Sequence, residues 1–145
     1  MMQTGIFTRS FSIDVPVEWV DKSMQIWSAP PSADSQVAPN IVVMREEMPE
    51  GKDLSSFVSM QMKELLNKGE DLEIEYQKEV TFKNVPAKEI LFTWKASNQR
   101  LKQKQLFILQ DNDQIVSMVF TAAAEDFEKH LPVFSNIENS FSWIN

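Results

Sequence analysis

Three cations alternate along Arg100-Leu101-Lys102-Gln103-Lys104-Gln105-Leu106-Phe107-Ile108. Residues two apart on an extended chain share a face, so Arg100, Lys102 and Lys104 could jointly hold an anion. The competing reading is a charged strand that discourages edge-to-edge aggregation. The formal net charge of −7 and the isoelectric point near 4.7 favour that second reading. The carboxylates offer no better chemistry. Glu46 and Glu47 are adjacent, so on a strand they point to opposite sides and cannot share a proton. Glu73, Glu75 and Glu79 are expected on one wet strand face, with no second carboxylate cluster near them in sequence. His130 is the only histidine, and there is no cysteine. A His-based metal site, a His-centred triad, a thiolate nucleophile and a disulfide each lack parts. Gly5, Gly51 and Gly69 are scattered and make no phosphate-cradling loop. No catalytic residue, metal site or cofactor is expected, and nothing argues for an enzyme.

As a binding surface the same stretch says more. One face of the strand carries Leu101, Gln103, Gln105 and Phe107. The other carries Lys102, Lys104, Leu106 and Ile108, a solvated end running into a core. Two glutamines between two large hydrophobes suit a surface that takes an apolar partner yet stays wet when empty. Burying an unpaired amide costs roughly 1–3 kcal/mol, which argues against a closed core there. Met24, Ile26, Asn40, Val42 and Met44, on two other strands, are equally hard to read as pure core. The chain has eight methionines. Methionine is flexible and polarizable and tolerates imperfect fits to varied apolar partners.

These residues must be positioned by one domain spanning 1–145, long enough for a substantial core. Strands are expected at Ser10–Val15 (ended by Pro16), Met24–Ser28 and Asn40–Glu46, with a turn at Val17–Asp21 and a proline-rich loop at Ala29–Pro39. A helix follows from about Asp53 to Lys68, with Asp53 as N-cap and Gly69 just past its end. Gln61 interrupts its apolar stripe. Strands at Leu72–Phe82, Ala87–Ala96, Arg100–Ile108 and Gln114–Ala122 come next, joined by short turns at Lys83–Pro86, Ser97–Gln99 and Asp111–Asp113. After a turn at Glu125–His130, a last helix runs from Leu131 or Pro132 to Phe141, with Pro132 in its first turn. The fold class is α+β, an antiparallel sheet of about six to seven strands flanked by helices. The acidic charge argues against nucleic acid and against anionic membranes. No stretch approaches a transmembrane helix in length, and Met1–Ile13 has no apolar core of a signal peptide. A cytoplasmic location is the expectation.

Phe11-Ser12-Ile13, Pro16 and Trp19-Val20-Asp21-Lys22-Ser23 look like a family opening, F-x-I-P-x-x-W-x-D-x-S. Asn40-Ile41-Val42-Val43-Met44-Arg45, the helix segment Phe57-Val58-Ser59-Met60-Gln61-Met62 and Arg100–Phe107 continue the likeness. The whole chain resembles the DcrB-like domain with its Mog1/PsbP-type α/β/α sandwich, and within it the Eag chaperones of bacterial type VI secretion. The resemblance implies a homodimer that shields the N-terminal transmembrane helices of an effector of the PAAR/Rhs type before export, with no cofactor and no stable membrane association. By position it implies a client-binding face of Met24, Ile26, Asn40, Met44, Gln61, Leu101 and Gln105, to which the strand faces add Val42 and Gln103. Met44 is apolar where some members carry a hydroxyl. Without cysteine the chain differs from the lipoprotein members. Other classes remain open from the residues: an immunity or adaptor protein binding a soluble toxin domain, or a small-ligand binder on the same fold.

Overall fold

The structure, a computed structural model, describes residues 14–19, 22–30, 37–111 and 113–144. Strands β1 (Met24–Ser28) and β2 (Asn40–Glu47) precede helix α1 (Leu54–Lys68). Strands β3 (Glu70–Phe82), β4 (Val85–Ala96), β5 (Gln99–Asp111) and β6 (Gln114–Ala123) follow. A 3-10 turn at Ala124–Asp126 then leads into helix α2 (Phe127–Ser140). The six strands form one sheet in the order β1-β2-β6-β5-β4-β3, antiparallel throughout.

Turn chemistry sets the consecutive hairpins. Lys83 and Asn84 both have positive φ, 48° and 71°, the mirror-image turn whose twist matches paired strands. Ser97 has φ 55°, and Gln99 pairs with Ala96, so Gln99 belongs to the strand and not to the loop. The non-local step is β2 pairing with β6, which places β6 at the centre of the sheet. With a strand paired on each side, β6 has buried residues that run almost continuously instead of alternating.

One core lies under α2, where Phe127 and Phe134 meet Ile41, Leu106, Ile108, Val116, Met118 and Phe120. The other lies under α1, where Phe57, Val58 and Met62 meet Ile90, Phe92, Phe107 and Ile115. Asp53 caps α1 by accepting the Ser56 amide at 2.8 Å. Gly69 ends it with φ −74°, so the requirement for glycine is close approach and not a left-handed backbone. A Cβ there would stand 2.7 Å from the Leu65 carbonyl oxygen. Gly69→Ala is therefore expected to cost about 1–3 kcal/mol in denaturant unfolding, and an unchanged midpoint would contradict this.

Three sequence expectations change. Helix α2 begins at Phe127, four residues before the expected start, because Phe127 is a buried anchor packed 5.7 Å from Phe134. Pro132 consequently lies inside the helix. It cannot donate to the Glu128 carbonyl, which is tolerated because both residues are exposed to water. In β3 the register shifts between Ile74 and Tyr76, so Glu73 and Glu79 sit on opposite faces and the shared carboxylate face does not exist. Of the strand expected at Ser10–Val15, residues 10–13 lie outside the described residues, and Asp14 and Val15 are not in a strand. The turn after Pro16 is present, closed by the Trp19 amide on the Pro16 carbonyl at 3.1 Å.

Candidate partner-binding face

The sheet register places all the strand residues singled out by sequence on one face. Directly paired neighbours share a face, and three rows run across the strands. Met24, Met44, Ser117 and Phe107 form one; Ile26, Val42, Val119, Gln105 and Ile90 the next; Ser28, Asn40, Thr121, Gln103 and Phe92 the third. Leu101 lies one row further, between Ala123 and Trp94. Helix α1 packs on this same face but over β3, β4 and β5. The half made by β1, β2 and β6 carries no helix among the described residues. Met24 and Ile26 are 52% and 61% exposed, while Val42, Met44 and Val119 are half-buried.

Gln61 lies on the flank of α1 that borders this open half. Glu64, three residues on and on the same flank, is close enough to Glu46 of β2 to act on its carboxyl. Burial first, then Glu64, raises the Glu46 pKa, and Lys22 partly opposes them. The face is thus an apolar strip over β1, β2 and β6, walled on one side by α1.

The two glutamines differ in their surroundings. Gln103 accepts from the Trp94 indole N–H at 2.8 Å and donates to the Thr121 hydroxyl at 2.8 Å. It is a paired amide, not the unpaired one expected from sequence. Neither Gln105 nor Gln61 has a side-chain hydrogen bond among the described residues, although both are half-buried. Asn40 donates a long bond of 3.4 Å to the Ala38 carbonyl. Sequence reading missed Ser117, Val119 and Thr121, which form the middle of the face. Ser117 and Thr121 are the two hydroxyl-bearing residues of this otherwise apolar stretch, but their place between β2 and β5 depends on the non-local pairing.

The opposite face corrects a second expectation. Lys102 and Lys104 are not solvated, because α2 and the 3-10 turn cover them. Lys102 pairs with Glu75 at 2.9 Å and lies 5.3 Å from the Phe127 ring centre. Lys104 bridges Glu89 at 3.2 Å and Glu138 of α2 at 2.7 Å. Glu89 also accepts from the Tyr76 hydroxyl at 2.8 Å and pairs with Lys78 at 3.4 Å. Burial alone would raise the Glu89 pKa, but the Tyr76 hydrogen bond and the Lys104 and Lys78 charges outweigh it and hold it below the usual range. Burial would lower the Lys104 pKa, and Glu138 and Glu89 reverse that. Burial, then the Glu89 hydrogen bond and charge, pushes the Tyr76 phenol well above its ordinary value, so it stays a donor. Arg100 clamps the bulged edge strand, holding Asp71 at 3.0 Å and Thr93 at 3.1 Å. The basic row is spent on internal carboxylates and has little left for an anion.

Among the described residues no group of three His, Cys, Asp or Glu is arranged to hold a metal ion. No helix among them is long and apolar enough to cross a membrane.

No curated protein matches the sequence. Solved structures of similar fold include PA94, a protein of unknown function from Pseudomonas aeruginosa, at 16% identity and TM-score 0.79 over 90% of each chain. LpqN, involved in cell envelope biogenesis of Mycobacterium tuberculosis, matches at 10% identity and TM-score 0.58 over 85% of each chain. The PsbP protein of Synechocystis sp. (CyanoP) matches at 9% identity and TM-score 0.55, over 90% of this chain and 98% of that one. At such identities the likeness is one of fold, and the fold is PsbP-like. The DcrB family profile matches residues 11–140, from ahead of β1 to the end of α2. The chain belongs to the DcrB family.

Proposed function

We propose that the open half of the α1 face holds an apolar helix of a partner protein, and that the protein is a chaperone for transmembrane helices awaiting export. The single observation that carries this reading is the alignment of Met24, Ile26, Val42, Met44 and Val119 on the half of the face that α1 leaves uncovered. A sheet of six strands spaced about 4.8 Å apart is roughly 24 Å across. That is room for two helices side by side at about 10 Å each. Helix α1 fills one such track over β3, β4 and the Phe107–Leu109 end of β5, and the track over β1, β2 and β6, bordered by Gln103 and Gln105 of β5, has the width of a second helix.

The energetics fit an occupant that cannot remain in water. A membrane-spanning helix of about 20 apolar residues aggregates when exposed. Each of its large side chains covered by the face gains roughly 1.5–3 kcal/mol. Gln105 and Gln61 offer unpaired amides at the edge of α1, where small client residues let backbone groups approach, as between membrane helices. By family likeness the client is an effector of the PAAR/Rhs type in type VI secretion, and the chaperone acts as a homodimer in the cytoplasm.

Co-expression tests the reading. A client fragment bearing its N-terminal transmembrane helices should be recovered soluble only together with this protein. Gln105→Leu should reduce that recovery several-fold while the chaperone remains folded. Equal recovery of the fragment with and without the protein would overturn the proposal. A second reading, small-ligand binding, has one observation in its favour. A cavity of about 890 Å³ lies between Val43, Arg45 and Val116 on one side and Phe141 and Trp143 on the other. A bound metabolite in native mass spectra, with no partner capture, would favour it instead.

A further inference from the structure

Gln103 and Gln105 are chemically identical, two residues apart on β5 and on one face, yet only Gln103 is paired. An amide side chain offers one carbonyl acceptor and two N–H donors. Gln103 engages its carbonyl with the Trp94 indole and one N–H with Thr121, both at 2.8 Å. Gln105, one row away between Ile90 and Val119, engages neither. The difference comes from Trp94, which donates to the Gln103 carbonyl, and from Thr121, which accepts from its amide where Gln105 faces Val119.

We infer that Trp94 is a positioning residue that sets the polarity pattern of the face and thereby selects the helix it accepts. This rests on the helix-docking reading and deepens it. With its amide locked to Trp94 and Thr121, Gln103 can be covered by an apolar side chain while keeping its partners. Gln105 cannot: covering it with a large apolar group leaves its amide unpaired, a penalty that falls on the complex. Two residues along a strand span about 6.8 Å, close to the 5.4 Å pitch of a helix lying along it. The favoured occupant is therefore an apolar helix with a large apolar residue over Gln103 and a small or hydroxyl-bearing residue one turn away, over Gln105.

The test uses lysine-flanked Leu/Ala helical peptides of about 20 residues, with a single serine moved along the helix, titrated against the full chain. The parent protein should prefer one serine position. Trp94→Phe, which removes the indole donor and leaves the Gln103 carbonyl unpaired, should weaken that preferred peptide about tenfold. It should also shift the preference to a serine one turn away. Trp94→Phe combined with Gln103→Leu and Thr121→Val removes all three members of the network, and should bring affinity back to within about twofold of the parent. That restoration also shows that the loss in the single variant is not misfolding. Parental affinity and preference in Trp94→Phe, or a triple variant as weak as the single one, would overturn the inference. Ile26→Asp, titrated in parallel, separates the two claims. If it binds the peptides like the parent, the docking face itself is wrong. If it fails to bind while Trp94→Phe behaves as the parent, only the role of Trp94 falls.

Discussion

Ile26→Asp is expected to abolish protection of an apolar helical partner while leaving the protein folded. Ile26 sits on the short edge strand β1, 61% exposed, so the folded chain loses little packing when its side chain changes. Ile26 pairs with Val42, and in the proposed complex this position would face the partner helix. A carboxylate covered there without a cation costs several kcal/mol, enough to lower affinity by a factor of 100 or more. Met24→Asp, one row away and 52% exposed, should behave alike. The readout is the steady level of a co-expressed client together with the melting temperature of the variant. Normal client levels with a folded variant would sink the assignment of the face.

The largest effect on stability is expected on the other side of the sheet. Lys104→Met should destabilise the fold by about 2–4 kcal/mol, somewhat below the loss for a fully buried pair because its side chain retains 15% exposure. The mutation leaves Glu89 and Glu138 of α2 facing each other, with Lys78 and Tyr76 left among the described residues to compensate Glu89. The pH dependence follows from the lowered pKa of Glu89. A carboxyl with a lower pKa folded than unfolded contributes stability above its unfolded pKa and loses it as pH falls through the folded one. The parent should therefore keep this contribution at neutral pH and lose it only below the ordinary carboxylate value of 4.5. In Lys104→Met the folded pKa of Glu89 moves up towards its unfolded value, so the loss of stability on acidification should be smaller. Urea titrations between pH 3 and 7 measure both, in steps of roughly one unit across the range where carboxylates titrate. Matching curves for parent and variant would contradict the role given to Lys104.

The face was legible in the sequence because strand parity is a local property. Met24 and Ile26, Asn40, Val42 and Met44, and Leu101, Gln103 and Gln105 each follow a period of two, and pairing brings the three sets onto one side. Pairing order is not local. No turn connects β2 to β6, so nothing near either strand announced that Ser117, Val119 and Thr121 would lie between the predicted sets. Lys104 was read as solvated because its partners lie far off in sequence, Glu89 on β4 and Glu138 on α2. Gln103 was read as unpaired for the same reason, since its acceptor Thr121 is a residue of β6. Pro132 misplaced the start of α2 because a helix-start preference was followed where the buried Phe127 decided the matter. A one-residue bulge in β3 undid the carboxylate face that simple alternation had built.

Site-specific photo-crosslinking tests the helix-docking claim most directly. A photoreactive residue is placed at Ile26 on the open face, and at Val133, 54% exposed on α2 across the sheet, as the control. Both versions are expressed with a client fragment carrying its transmembrane helices. Crosslinks from position 26 that map within the apolar helix, with none from position 133, are the predicted result. Equal crosslinking from both positions, or crosslinks from position 26 only to a soluble domain of the client, would contradict it.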